Sequence, residues 1–142
     1  RLDRLFKQFH DWKRKDFPRA REFFREFKIG LQRHIVWEED ILFPLFEKKT
    51  GIRGAGPTAV MREDHRRIKT ALEAIHERVK TGDPISDEAE DILRTTLLEH
   101  NLREEQILYP GIDSVVNDTE REEVFQKMKE LPEERYQECC KG

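Results

Sequence analysis

Eleven residues from His34 to Pro44, HIVWEEDILFP, recur from His100 to Pro110 as HNLREEQILYP. Six of the eleven positions are identical, at an offset of 66 residues. On a helix, residues four apart lie on one face, so His34 points with Glu38 and His100 with Glu104. An imidazole and a carboxylate one turn apart can hold the same first-row metal ion. The fold must therefore make both copies helical and bring them together.

The repeat extends beyond the motif. At the same offset Pro84 falls on Pro18, Leu93 and Leu97 on Phe27 and Leu31, and Ile68, Leu72 and Ile75 on Leu2, Phe6 and Phe9. The chain reads as a duplicated helical hairpin. Two such hairpins make an all-α, up-down-up-down four-helix bundle, here with a short C-terminal helix added. Residues 1–142 are read as one domain, with hairpins over 1–49 and 58–110, a C-terminal helix over 118–131 and a polar tail over 132–142.

Apolar periodicity places the elements. Leu2, Phe6 and Phe9, flanked by Leu5 and Trp12, predict a helix from Arg1 to Lys15. Asp16 and Pro18 then cap and start a second helix, expected to run to Lys49 with a seam of Phe24, Phe27, Leu31, His34, Glu38, Ile41 and Leu45. Steps of three and four are those of a bundle seam, so His34 and Glu38 stand where leucine would be expected. Pro44 is expected to kink or fray the last turns. Thr50 to Pro57 reads as a loop. A third helix, Thr58 to Lys80, has the seam Met61, His65, Ile68, Leu72, Ile75 and Val79. Gly82 is expected to supply its left-handed cap. The fourth helix runs to Tyr109 with Leu93, Leu97, His100, Glu104 and Ile107 inward, and Pro110-Gly111 is expected to end it. Thr119 and Glu122 stand at capping-box spacing for the last helix, which Pro132 stops.

The arms of the second hairpin have matched lengths. Roughly 16 residues separate His65 from the turn and Pro84 from His100, ~24 Å at the helical rise, so the two histidines should meet at one level. The repeat places the equivalent first-arm residue of the first hairpin two positions before Arg1, and a histidine is expected there. His10 is not that partner. It lies about ten residues, ~15 Å, from the level of His34, and it maps onto His76; both are read as flank histidines on the bundle surface.

The candidate cluster is thus His34, Glu38, His65, His100 and Glu104. Two carboxylates buried without a cation are costly, which favours a metal centre over a polar layer that only fixes helix register. Imidazole and carboxylate suit iron, manganese or zinc, and iron is the first choice. Glu39, Glu63 and Glu105 are candidates to support the ligand imidazoles, against the plainer reading of surface glutamates. Trp37 and Tyr109 are read as packing residues.

Composition narrows the function. Charged residues make up 40% of the chain and the net charge is -3, which suits amphipathic helices and leaves no basic face for nucleic acid. No apolar run is long enough to span a bilayer. The two cysteines, Cys139 and Cys140, are adjacent and read as reduced thiols, pointing to the cytoplasm.

The carriers HxxxEEDILFP from His34, the Glu63-Asp64-His65-Arg66-Arg67-Ile68 segment and HxxxEEQILYP from His100 together resemble the hemerythrin-like (HHE cation-binding) domain. The resemblance runs from Leu2 to about Tyr109. It implies a non-heme di-iron site, oxo- or hydroxo-bridged, with Glu38 and Glu104 bridging and His34, His65 and His100 as terminal ligands. Glu105 is an alternative bridge. Oxygen-carrying members have a further histidine where this chain has Met61, and the residue one turn after His65 is Lys69. These departures, and the first-helix ligand expected before Arg1, point away from reversible oxygen carriage and toward incomplete metal loading. The resemblance then implies a sensor, an iron-responsive module, or a protein handling oxygen, peroxide or nitric oxide. A di-iron oxidoreductase and a metal-free helical interaction module are the alternatives, the latter with a protein partner or fused domain.

Overall fold

The computed structural model describes residues 1–137, and no strand occurs among them. Helix α1 spans Leu2–Trp12. Asp16 accepts a hydrogen bond from the Arg19 N–H at 3.3 Å and starts α2, Phe17–Trp37, with Pro18 in its first turn. A π-helical turn, Glu38–Leu42, joins α2 without a break to α3, Phe43–Thr50. Helix α4 spans Gly56–Lys80. Its end has the expected glycine cap: Gly82 has φ of 75°, its N–H bonds Val79 O, and Asp83 N–H reaches back to Arg78 O. This pairing satisfies two of the carbonyls left open at a helix end. Helix α5, Asp87–Arg103, passes through a second π-turn, Glu104–Leu108, into α6, Tyr109–Val115. The rods α1, α2–α3, α4 and α5–α6 form the up-down-up-down bundle, with α1 on α2, α4 on α5, and α2 on α4.

The two π-turns bear on three expectations. Pro44 does not fray the last turns of its rod, and Pro110 does not end its own. A proline lacks an N–H and crowds the carbonyl four residues back. Widening the turn relieves that crowding: Phe43 N–H bonds Glu38 O and Tyr109 N–H bonds Glu104 O, each five residues back. The fourth rod therefore runs on past Pro110-Gly111 to Val115. One extra residue per turn also rotates the downstream side chains by about 100°. Leu42, Phe43 and Phe46 are buried instead of the expected Ile41 and Leu45, and Leu108 is buried while Ile107 is 53% exposed.

The last helix, α7, spans Asp118–Glu130, and its capping box is Asn117 with Glu120 rather than Thr119 with Glu122. The segment after Pro132 is not simply a polar tail. A short helix, α8 (Glu134–Gln137), returns to α2. There Tyr136 is buried beneath the Arg33 guanidinium, and Arg135 donates two bonds to Asp40. Cys139 and Cys140 lie outside the described residues.

Two apolar clusters fill the bundle. One gathers Phe6, Phe9, Phe24, Phe27, Leu31, Ile35, Ile68, Leu72, Ile75 and Leu93. Phe6 pairs with Phe27 at 4.8 Å and Phe9 with Phe24 at 5.1 Å, joining α1 to α2. The other gathers Leu42, Phe43, Phe46, Met61, Leu108, Ile112 and Val124. Each fully buried phenylalanine or leucine contributes roughly 1.5–3 kcal/mol. Between these apolar clusters lies a polar layer.

Candidate metal centre

Five helical segments deliver that layer. His34 comes from the end of α2, Glu38 from the first π-turn, His65 from the middle of α4, His100 from α5, and Glu104 from the second π-turn. Ligand-capable atoms of Glu38, His65, His100 and Glu104 all lie within 4.8 Å of one another, and all four residues are buried. His65 and His100 meet at one level, ring centroids 4.9 Å apart. His34 joins from the side: its Nε2 is 3.1 Å from Oε1 of Glu38 and 3.8 Å from Oε1 of Glu104. It is the most open of the five, with 36% of its side chain exposed. All five expected residues thus converge.

The polar atoms satisfy one another only in part: Nε2 of His65 lies 3.3 Å from Oε1 of Glu38. Oε2 of Glu38, Nε2 of His100 and Oε1 of Glu104 are buried with no hydrogen-bond partner. Nε2 of His100 does lie 2.6 Å from Oε1 of Glu104, but the approach lacks the direction of a hydrogen bond. Buried polar atoms are normally paired. Here ligand-capable atoms of four buried residues lie within 4.8 Å of one another, as ligand atoms around a cation do. The donor set of imidazole and carboxylate fits a first-row transition metal, and the residues fit the group.

Electrostatics point the same way. Burial disfavours protonated His100, yet the Glu104 and Glu38 carboxylates raise its pKa to about 10. His34, likewise opposed by burial, is raised to about 9 by Glu104 and Glu38. Burial would raise Glu38, but His100, His34 and His65 hold it far below the ordinary carboxylate range. The cluster attracts positive charge, which protons or a metal cation can supply.

The imidazoles are anchored from behind. Nδ1 of His65 is 3.0 Å from Oε1 of Glu39. Nδ1 of His100 is 3.0 Å from Oδ2 of Asp64, which Arg103 grips through two further bonds of 3.0 and 2.6 Å. Burial would raise the Asp64 pKa, but Arg103 and His100 hold it below the ordinary range. Such partners fix which ring nitrogen faces a metal. Of the three supporting glutamates considered, only Glu39 takes this place; Glu63 pairs with Arg66 at the surface and Glu105 is exposed. Tyr109 donates to Oε2 of Glu104 at 3.0 Å, so it does more than pack. Met61 is buried in the neighbouring apolar cluster, and Lys69 lies 3.8 Å from Glu39.

The family model for the hemerythrin HHE cation binding domain matches residues 1–133. The chain belongs to the hemerythrin HHE cation-binding family. No curated protein and no solved structure matches it significantly. In this HHE chain the polar layer between the apolar clusters is a buried place where a cation could be held.

The other histidines lie elsewhere. His10 is exposed on the bundle flank, as expected, and it is also bonded there. It sits at the opposite end of the bundle with Nδ1 2.8 Å from Glu90, in a network with Asp87, Ser86 and Lys13. The Lys13 ammonium contacts both Glu90 and Asp87. Together with Arg14, 2.7 Å from Asp87, it provides the positive charge that those carboxylates require, so the network is built on the buried Lys13–Glu90 ion pair. His76 lies half-buried on the flank beside Phe24. Among the described residues, no helix is long and apolar enough to cross a membrane.

Proposed function

We propose that this protein binds non-heme iron as a dinuclear centre and uses it to sense or handle a small oxidant: dioxygen, peroxide or nitric oxide. Glu38 and Glu104 would hold the iron through their carboxylates, and His34, His65 and His100 through their imidazoles. The observation that carries this reading is the convergence of four buried side chains, Glu38, His65, His100 and Glu104, with ligand-capable atoms within 4.8 Å of one another. Iron held there would supply one-electron chemistry, and a small ligand would need a position beside it.

The chain's own residues define that position. A cavity of about 150 Å³ adjoins His34, His100 and Glu104, and its other walls include Leu2, Phe27, Leu31, Ile68 and Leu97. It has room for a diatomic molecule or peroxide, and its apolar walls limit water around the cluster. The Tyr109 hydroxyl, bonded to Glu104, holds that carboxylate in place.

Metal analysis after loading with ferrous iron tests the proposal. Roughly one to two iron ions per chain are expected, fewer than a full pair where the ligand set is incomplete, falling sharply in His34→Ala and Glu104→Ala. At a free metal concentration a hundredfold above Kd, binding adds about 2.7 kcal/mol. That raises the Tm of a chain this size by roughly 8–13 °C. Iron below roughly 0.2 per chain, unchanged by either substitution, would reject the centre.

A further inference from the structure

The supports behind His65 and His100 differ. Glu39, behind His65, has 26% of its side chain exposed and a lysine 3.8 Å away. Asp64, behind His100, is 2% exposed. Both of its oxygens are committed: Oδ1 to Nη2 of Arg103, Oδ2 to Nε of Arg103 and to Nδ1 of His100. A carboxylate held this way cannot turn without breaking a two-pronged guanidinium contact. Asp64 immediately precedes His65 on α4, and Arg103 lies one turn beyond His100 on α5, so the contact links the two helices at the level of the cluster.

We propose that Asp64 and Arg103 are a positioning pair that sets the cluster's metal affinity through His100, in opposite senses. The inference rests on the cluster being a metal centre. Asp64 accepts the Nδ1–H, which leaves Nε2 facing the cluster and makes the ring a stronger donor. Its negative charge also favours a cation nearby. Arg103 holds Asp64 in line and cancels part of that charge. Removing the acid should weaken metal binding, and removing the guanidinium should strengthen it. A purely structural ion pair gives a different result, because either substitution breaks the same contact and both should then act in one direction.

Zinc(II) affinity of the full chain, measured by competition with a chelator, separates these cases. Asp64→Asn should bind zinc about 10–100-fold more weakly, Arg103→Gln more tightly than wild type, and Arg103→Lys close to wild type. Weaker or unchanged binding in Arg103→Gln would overturn the proposal. A second measurement needs no variant: proton–nitrogen NMR of the zinc-loaded wild type should show His100 protonated at Nδ1 with Nε2 bare. The opposite tautomer would also overturn it. A wild type that takes up no metal refutes the metal centre itself, a result distinct from any failure of the pair.

Discussion

Lys13 and Glu90 offer a test of how the bundle is held at the end away from the candidate metal centre. The Lys13 side chain is fully buried and Glu90 is 1% exposed. Replacing lysine with methionine keeps most of the apolar stem but removes the ammonium from a carboxylate that has left water. Breaking a buried pair from one side costs about 3–5 kcal/mol. Two groups reduce that figure. The Ser86 hydroxyl donates to Glu90 at 2.6 Å, and the His10 imidazole, 2.8 Å from the other oxygen, can return part of the charge. We therefore expect Lys13→Met to lose about 2–4 kcal/mol. With a urea dependence of about 2 kcal/mol per molar, the unfolding midpoint drops by roughly 1–2 M. The double variant Lys13→Met, Glu90→Met should recover most of the loss, because a buried pair replaced by apolar groups is often neutral. The gap should also depend on pH. Burial would raise the Glu90 pKa, but bonds from Lys13, Ser86 and His10 hold it below the ordinary range. Its contribution is therefore present above the unfolded value of about 4.3 and fades as pH falls through the folded value. Wild type and Lys13→Met should converge in acid. A midpoint shift at neutral pH below roughly 0.3 M, or a double variant no more stable than the single one, would refute the account.

The π-turns can be tested by paired truncation. Leu42→Ala and Leu108→Ala should each cost about 2–5 kcal/mol, whereas Ile107→Ala, at a largely exposed position, should stay within about 0.5 kcal/mol; chemical denaturation measures both, and the reverse order would remove the π-turns. Gly82→Ala should cost about 1–2 kcal/mol, because alanine resists the left-handed conformation at that cap, and an unchanged thermal midpoint would contradict it. Burial, together with the Glu38 and Glu104 carboxylates, pushes the Tyr109 pKa far above its ordinary value. In a Tyr136→Phe variant, where Tyr109 is the only tyrosine left, ultraviolet titration of the folded protein should show no phenolate at about pH 11.

The sequence makes the bundle and the inner face of the site legible because both follow from residue spacing, within a helix, between the two copies of the repeat and along the arms of a hairpin. His34 with Glu38, and His100 with Glu104, are pairs four apart, and the 66-residue offset relates the two helices. His65 is placed by arm length. The groups behind the ligands are less visible. Asp64 and Arg103 are 39 residues apart, on α4 and α5, and no periodicity links them; Asp64 stands within the segment that carries the family resemblance, but its partner emerges only when the helices pack. Glu39 could be suspected from its place beside Glu38, although Glu105, its counterpart in the repeat, stays in solvent. Lys13 and Glu90 are hidden likewise, since charged residues on helices this polar are expected to face water.

The π-turns show where a regular seam breaks down, and why the site survives it. A stripe of threes and fours assumes a constant turn, and it misplaces the seam residues beyond each motif by one position because each rod carries one wider turn. A signal is present in both copies: a proline six residues after the glutamate, inside a rod that continues. Each wide turn begins at the glutamate itself. The histidine and glutamate are still one α-turn apart and share a face, while the residues beyond them rotate so that Leu42 and Leu108 close the apolar cluster alongside. The local helix thus sets the ligand pair, and the π-turn fits that pair to the core while leaving room for a proline. The pair and the packing around it are separable, which is why spacing that misplaces Ile41 and Ile107 still places all five cluster residues together.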